Sequence, residues 1–156
     1  MKVTLIVFSG DMDKAMAAFN IAIGAASMGM EATMFFTFWG IHILKRPNAP
    51  SKARGFIGKM LSMMSPPGAH KLPLSRLNML GMGPFMMKKL MRQYKMPDVK
   101  EMIALAKRGG VKLIACTVTM ELMGISKDQL IDEVDTLAGV ATYLSEASEA
   151  NVNLFV

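Results

Sequence analysis

The 156-residue chain has one cysteine, two histidines and one tryptophan. A single cysteine cannot form an internal disulfide, so oxidative stapling within the monomer is excluded, and a reducing compartment keeps such a thiol available for chemistry. His42 and His70 are too few, and too poorly spaced relative to Cys116, to spell a metal site or a Cys/His dyad. No metal and no cofactor is expected. Although 52% of the residues are hydrophobic, they nowhere gather into the uninterrupted block of ~20 apolar residues that a spanning helix needs. The N-terminus "MKVTLIVFSGD" has an acidic turn in place of a small-residue cleavage site and reads as a first strand rather than a signal peptide. A cytoplasmic location is expected.

Acidic residues are missing from one long stretch. Between Lys45 and Lys95 there are eleven Lys or Arg and no Asp or Glu, whereas the whole chain carries a net charge of +6. One acidic scaffold interrupted by one basic segment is the simplest description. That segment also holds six of the seven prolines and eight of the 18 methionines. It reads as an insertion or lid over about 45–95, able to cover the Cys116 end of the domain, with helical pieces near Ser51 to Met64 and Pro84 to Tyr94.

Outside the insertion the pattern alternates. "VTLIVF" is a short β-branched run ended by Ser9-Gly10-Asp11, then a helix from Asp13 to Met28 carries Ala15, Phe19, Ala22 and Ala26 on one stripe, closed by Gly29. "EATMFFTFWG" reads as a second strand ending near Trp39 and Gly40, and the three elements form a right-handed βαβ unit. After the insertion, Pro97, Asp98 and Glu101 open a helix that Lys107, Arg108 and Gly109-Gly110 close. "VKLIAC" is the next strand and "TVTMELM" a short helix stopped at Gly124. Ser126 and Gln129 have capping-box spacing, Val134 fits a short edge strand, and a helix from about Leu137 to Ala147 leads to the closing strand "VNLFV". The expectation is one α/β domain over 1–156: a Rossmann-like or flavodoxin-like parallel sheet of about five strands, flanked by helices.

In such a sheet the reactive positions lie at the carboxyl ends of the strands, particularly where strand order reverses. Ser9-Gly10-Asp11, Trp39-Gly40 and Cys116-Thr117 are expected to collect there. Cys116 ends an apolar run at the start of a helix, where unpaired N–H groups favour a thiolate. Free cysteines also commonly serve as small buried hydrophobes, so position alone leaves packing and reactivity both open. Ser9-Gly10-Asp11 lacks the spacing of a nucleotide fingerprint and reads by default as a helix-start turn. Glu121 orients a thiol partner or faces solvent, and Trp39 is a packing residue or a substrate platform.

"FFTFWGIHILKRP" at the end of the second strand and "CTVTMELMGI" at the end of the cysteine strand, in that order, resemble the DsrE/DsrF-like family, in the branch with a long insertion between the two motifs. The resemblance implies a small α/β sulfurtransferase whose cysteine, here Cys116, receives sulfane sulfur as a persulfide and hands it to a carrier protein. It also implies that Trp39, Gly40, Thr117 and Glu121 line that end of the sheet. Implied partners are donor and acceptor proteins such as TusA-like or rhodanese-like carriers, and an assembly of three or more copies.

Two readings from other classes stand beside this one. One is a non-catalytic docking module, in which the basic Met-rich segment binds a protein or lies peripherally on a membrane. The other is a thiol redox sensor acting through Cys116. Nucleic acid is the least favoured partner, because methionine replaces the aromatic and Arg-rich contacts of such surfaces.

Overall fold

The computed structural model of the chain describes residues 1–47, 49, 56, 58, 60, 66 and 68–156. Its centre is a five-stranded, wholly parallel sheet flanked by helices. The elements run β1 (Lys2–Val7), α1 (Met12–Ser27), β2 (Glu31–Phe36), a 3₁₀ helix (Phe38–Leu44), α2 (Met82–Gln93), α3 (Val99–Arg108), β3 (Lys112–Cys116), α4 (Thr117–Met123), β4 (Thr136–Ala138), α5 (Val140–Ser148) and β5 (Val152–Phe155). The strands lie in the order β4-β3-β2-β1-β5. Four strands therefore step in one direction, and the chain then returns across the sheet to place β5 on the far side of β1.

Strand alternation divides the core between the two faces of the sheet. Val3, Leu5, Val7, Ala32, Met34, Phe36, Leu113 and Ala115 point to one face, in one buried cluster with Phe19 of α1 and Met102 and Ile103 of α3. Phe35, Ile114 and Cys116 point to the other, where Tyr143 of α5 covers them. Polar bonds fix α5 there as it crosses: Glu146 pairs with Lys2 of β1 at 2.8 Å and Lys112 of β3 at 2.7 Å, and the Tyr143 hydroxyl lies 3.3 Å from that of Thr4. The two lysines hold the Glu146 carboxyl below the usual carboxylate range, Lys112 contributing most.

Most element boundaries follow the sequence signals. Gly29 adopts the left-handed conformation after α1, and α3 opens with a reciprocal capping box between Asp98 and Glu101. The capping spacing of Ser126 and Gln129 is realised at a 3₁₀ turn, Lys127–Gln129.

Three details differ from expectation. β2 stops at Phe36, because Phe38 takes a positive φ of 50° and the chain turns into the 3₁₀ helix Phe38–Leu44. Trp39 and Gly40 thus belong to that turn rather than to a strand. The edge strand is Thr136–Ala138, and Val134 lies before it. Leu137 belongs to that strand, so the last helix starts later, at Val140. The helix near Pro84 to Tyr94 is present as α2, whereas the piece near Ser51 to Met64 lies outside the described residues apart from Phe56, Gly58 and Met60, which are helical.

Candidate functional site

The site is built from the carboxyl ends of β2 and β3. Because Phe36 pairs with Ala115 in the parallel ladder, the next residues in register are Thr37 and Cys116. Cys116 is the N-cap of α4, with extended backbone, and is 6% exposed. As a neutral thiol its side chain makes no capping hydrogen bond. Burial pushes its pKa up. Against burial, the hydroxyl and N–H of Thr119, the hydroxyl of Thr37 and the N–H of Val118 all face the sulfur, and together they bring the thiol below its ordinary value.

The two threonines are joined to each other. Thr37 Oγ1 lies 3.0 Å from Thr119 Oγ1, and the N–H of Phe38 donates to Thr119 Oγ1 at 3.1 Å. Thr119 is buried and Thr37 half-buried, so little water competes for these groups. The groups that lower the thiol's pKa are hydroxyls and backbone N–H groups with no carboxylate among them, which suits a group that carries negative charge.

The other expected residues divide. Ser9 Oγ donates to Asp11 Oδ2 at 2.9 Å and accepts from the Asp11 N–H at 3.2 Å, while Asp11 pairs with Lys14 at 3.5 Å. These bonds make the Ser9–Asp11 stretch a self-contained helix-start turn. Gly10 and Gly40 are needed for close backbone approach: a Cβ on Gly10 would stand 2.7 Å from the Trp39 carbonyl oxygen, and one on Gly40 2.1 Å from that of Val7. The two loops are thereby locked together, with the Gly40 N–H donating to the Phe8 carbonyl at 2.8 Å. Thr117 is half-buried beside the start of α5, and Glu121 is exposed on α4. Neither is among the groups that face the sulfur.

Two further expectations meet the geometry differently. Strand order reverses between β1 and β5, so Cys116, on β3, lies two strands from the reversal; only the Ser9–Asp11 turn adjoins it. The α2 helix lies along α1, where Met12, Met16, Met87 and Met91 line a 330 Å³ groove, on the face of the sheet opposite Cys116. It does not cover the thiol.

An exposed aromatic edge borders the site. Phe8 stacks on Phe38 at 5.2 Å and packs beside Phe155 at 5.6 Å, while Trp39 meets the Phe38 ring edge-on at 5.6 Å. Beneath it Trp39 stacks on His42, which is buried with neither ring nitrogen hydrogen-bonded among the described residues. Among the described residues no group of three or more His, Cys, Asp or Glu side chains converges as a metal ion would need.

The sequence motifs and this fold agree with what known proteins share. The model of the DsrE/DsrF/DrsH-like family matches residues 1–155. The chain belongs to that family. Within the DsrE/DsrF/DrsH-like proteins it is 46% identical over 155 residues to the uncharacterised protein YrkE of Bacillus subtilis (strain 168), covering 99% of this chain and 96% of that one. It is 33% identical over 156 residues to the sulfur carrier protein DsrE2 of Allochromatium vinosum, covering 99% and 98% respectively. Two solved structures share the fold: YchN of E. coli, with a TM-score of 0.60 at 14% identity and full coverage of both chains, and MTH1491 of Methanobacterium thermoautotrophicum, with 0.53 at 12% identity, covering 98% and 97%.

Thr37 is the site residue that sequence reading passed over. Its signal lay in the ladder alone: once β2 and β3 are recognised as adjacent and parallel, the residue after the β2 run falls beside the cysteine.

Proposed function

We propose that this DsrE/DsrF/DrsH-like chain is a sulfur-relay protein, a sulfurtransferase with one covalent centre, which holds sulfane sulfur as a persulfide on Cys116 and passes it to a thiol of a partner protein. The observation that carries the reading is the position of Cys116 at the carboxyl end of β3, in register with Thr37 and one turn from Thr119, whose hydroxyls meet at 3.0 Å and help to hold the thiol below its ordinary pKa. A packing cysteine has no use for surroundings that favour its charged form, whereas a thiolate nucleophile does. Family membership and the likeness to a sulfur carrier support the same chemistry.

The thiolate attacks the outer sulfur of a donor persulfide and expels the donor thiolate; an acceptor thiolate then removes that sulfur. With one cysteine in the chain, no internal thiol can resolve the persulfide, so the acceptor is another molecule. Carriers of the TusA-like or rhodanese-like kind have the required thiol. Self-association belongs to the same reading. Val118 and Leu122 of α4, Val140 and Leu144 of α5, and Phe155 of β5 are all exposed, leaving an unusual amount of apolar surface for a protein of this size.

Incubation with a sulfane sulfur donor, followed by intact mass measurement, tests the reading. One added sulfur atom is expected, removable by reductant and absent in Cys116→Ser. A wild-type protein with a free thiol that gains no mass from any donor would overturn it.

A further inference from the structure

We propose that the methionines of the groove between α1 and α2 form a binding site for one soft monovalent metal ion, Cu(I), or Ag(I) in its place. The site lies on the face of the sheet opposite Cys116 and is independent of the relay reading.

Helix periodicity assembles the donors. Met12 and Met16 are four residues apart on α1 and Met87 and Met91 four apart on α2, so each pair stands on one helix face, and both pairs line the same 330 Å³ groove. Met96, just beyond α2, adds a fifth thioether. Five of the eleven lining residues are methionine, against 18 of 156 in the whole chain, so the enrichment belongs to the groove and is more than composition. Core packing accounts for Met12 and Met91, which are 2% and 5% exposed, but it does not account for Met87 and Met96, at 40% and 48%. Methionine thus runs from the floor of the groove to its mouth, which gives an ion a path inward.

The chemistry of the donors selects the ion. Thioethers are neutral, soft and polarisable, and they suit Cu(I), whereas magnesium, calcium and manganese call for oxygen ligands and zinc for thiolate, imidazole or carboxylate. The scarcity of cysteine and histidine that argues against a zinc site says nothing against this one. Neutral ligands leave the charge of the ion standing in apolar surroundings, where a second positive charge would raise the cost of desolvation steeply. One carboxylate borders the groove. Asp13 accepts from the Ser75 N–H at 2.9 Å through one oxygen and from the Ser75 hydroxyl through the other. With both oxygens engaged, Asp13 supplies a counter-charge rather than a ligand, and it matches a single positive charge.

The test uses the full chain carrying Cys116→Ser, which removes the competing thiolate. Native mass measurement after addition of Ag(I) gives the stoichiometry, and competition with a chromogenic Cu(I) chelator, in ascorbate without oxygen, gives the affinity. In that background Met16→Leu with Met87→Leu removes two thioethers at nearly constant volume, and Met82→Leu with Met86→Leu, both exposed and outside the groove lining, is the control. One tightly held ion per chain is expected in Cys116→Ser and in the control. Loss of even an outer partner of a metal site costs about 10–100-fold in affinity, so the groove pair should lose at least about tenfold. Thioethers carry no proton, so uptake should be unchanged between about pH 7 and pH 6, where a thiolate or imidazole site would weaken. Should the groove pair fail to fold, Met87→Leu alone, at a half-exposed position, gives the same comparison. Absence of a tightly held ion in Cys116→Ser would overturn the proposal, as would an affinity that falls equally in the groove and control variants or in neither.

Discussion

Thr37 and Thr119 meet at 3.0 Å although 82 positions separate them in the chain. The contact joins the end of β2 to the first turn of α4 and brackets the cysteine between them. It also makes the site depend on the sheet, since a slip of the β2–β3 register by one residue would turn the flanking side chains to the other face.

Gly40→Ala tests that dependence from a distance. The new Cβ would collide with the Val7 carbonyl, a backbone group that cannot swing away. A loss of about 1–3 kcal/mol in denaturant unfolding is expected, the usual cost of overpacking, together with a change in the Cys116 alkylation rate as the β1 and β2 loops move apart. Unchanged stability would mean that these loops are freer to part than their contacts imply.

His42 gives the fold an acid sensitivity. Burial first, then the neighbouring Lys45, push its pKa down to about 4. An unfolded histidine titrates near 6.5, so the unfolded chain binds more protons between those values, and stability is full above about pH 6.5 and falls as pH drops toward 4. At most about 3 kcal/mol is lost across that window. His42→Leu should flatten this part of the stability profile and be neutral or stabilising at pH 7, since it removes two buried nitrogens that have no hydrogen-bond partner among the described residues. Parallel stability–pH curves for the two proteins would refute this.

Glu146 should behave in the opposite sense chemically but in the same direction with pH. Its folded pKa is depressed by Lys112 and Lys2, so its contribution is present above the ordinary carboxylate value and is lost as pH falls through the depressed one. Glu146→Gln is expected to cost about 1–2 kcal/mol at pH 7, a difference that closes in acid. A gap that persists at low pH would assign the loss to packing instead of charge.

The basic segment should bind anionic surfaces. In α2, Met82, Phe85 and Met86 are exposed beside Lys88, Lys89 and Arg92, and apolar contact combined with cation attraction favours an acidic protein or an anionic lipid surface. Binding that weakens with salt and vanishes when the three cations become Glu is expected. Cosedimentation with anionic vesicles, run beside capture of an acidic carrier protein, tells which surface is preferred; indifference to charge reversal in both assays would rule out a docking role for α2.

Light scattering should give a mass of three or more chains, with the exposed residues of α4 and α5 at the contact. Replacing Leu122 and Leu144 by Lys should shift that mass downward. A monomeric wild type at high concentration would contradict self-association.

The strands and helices outside the insertion were legible because their signals are local: β-branched runs bounded by glycine, capping spacing at Ser126 and Gln129, and charges matched to the helix ends, as at Asp98 and Glu101. Cys116 at a strand end was legible for the same reason. The end of β2 was not, because "TFWG" continues the apolar pattern while Phe38 reverses the backbone, held by a hydroxyl far along the chain. The positions of Gly10 and Gly40 were readable, but their purpose, letting two loops touch, needed the third dimension. The pairing of Thr37 with the sulfur required the ladder, and ladders join residues that no window along the sequence contains.

The strand order has a consequence for biosynthesis. β1 finds β2 after about one helix of chain, yet its other flank waits for β5, whose neighbour Asn151 accepts from the Lys2 N–H across 149 positions. Until α5 and β5 have left the ribosome, the apolar β1 segment presents an open row of backbone donors and acceptors to whatever else is nearby. A stalled or slowly translated message would therefore expose a sticky edge at β1, and the demand on chaperones should fall on the interval before β5 arrives.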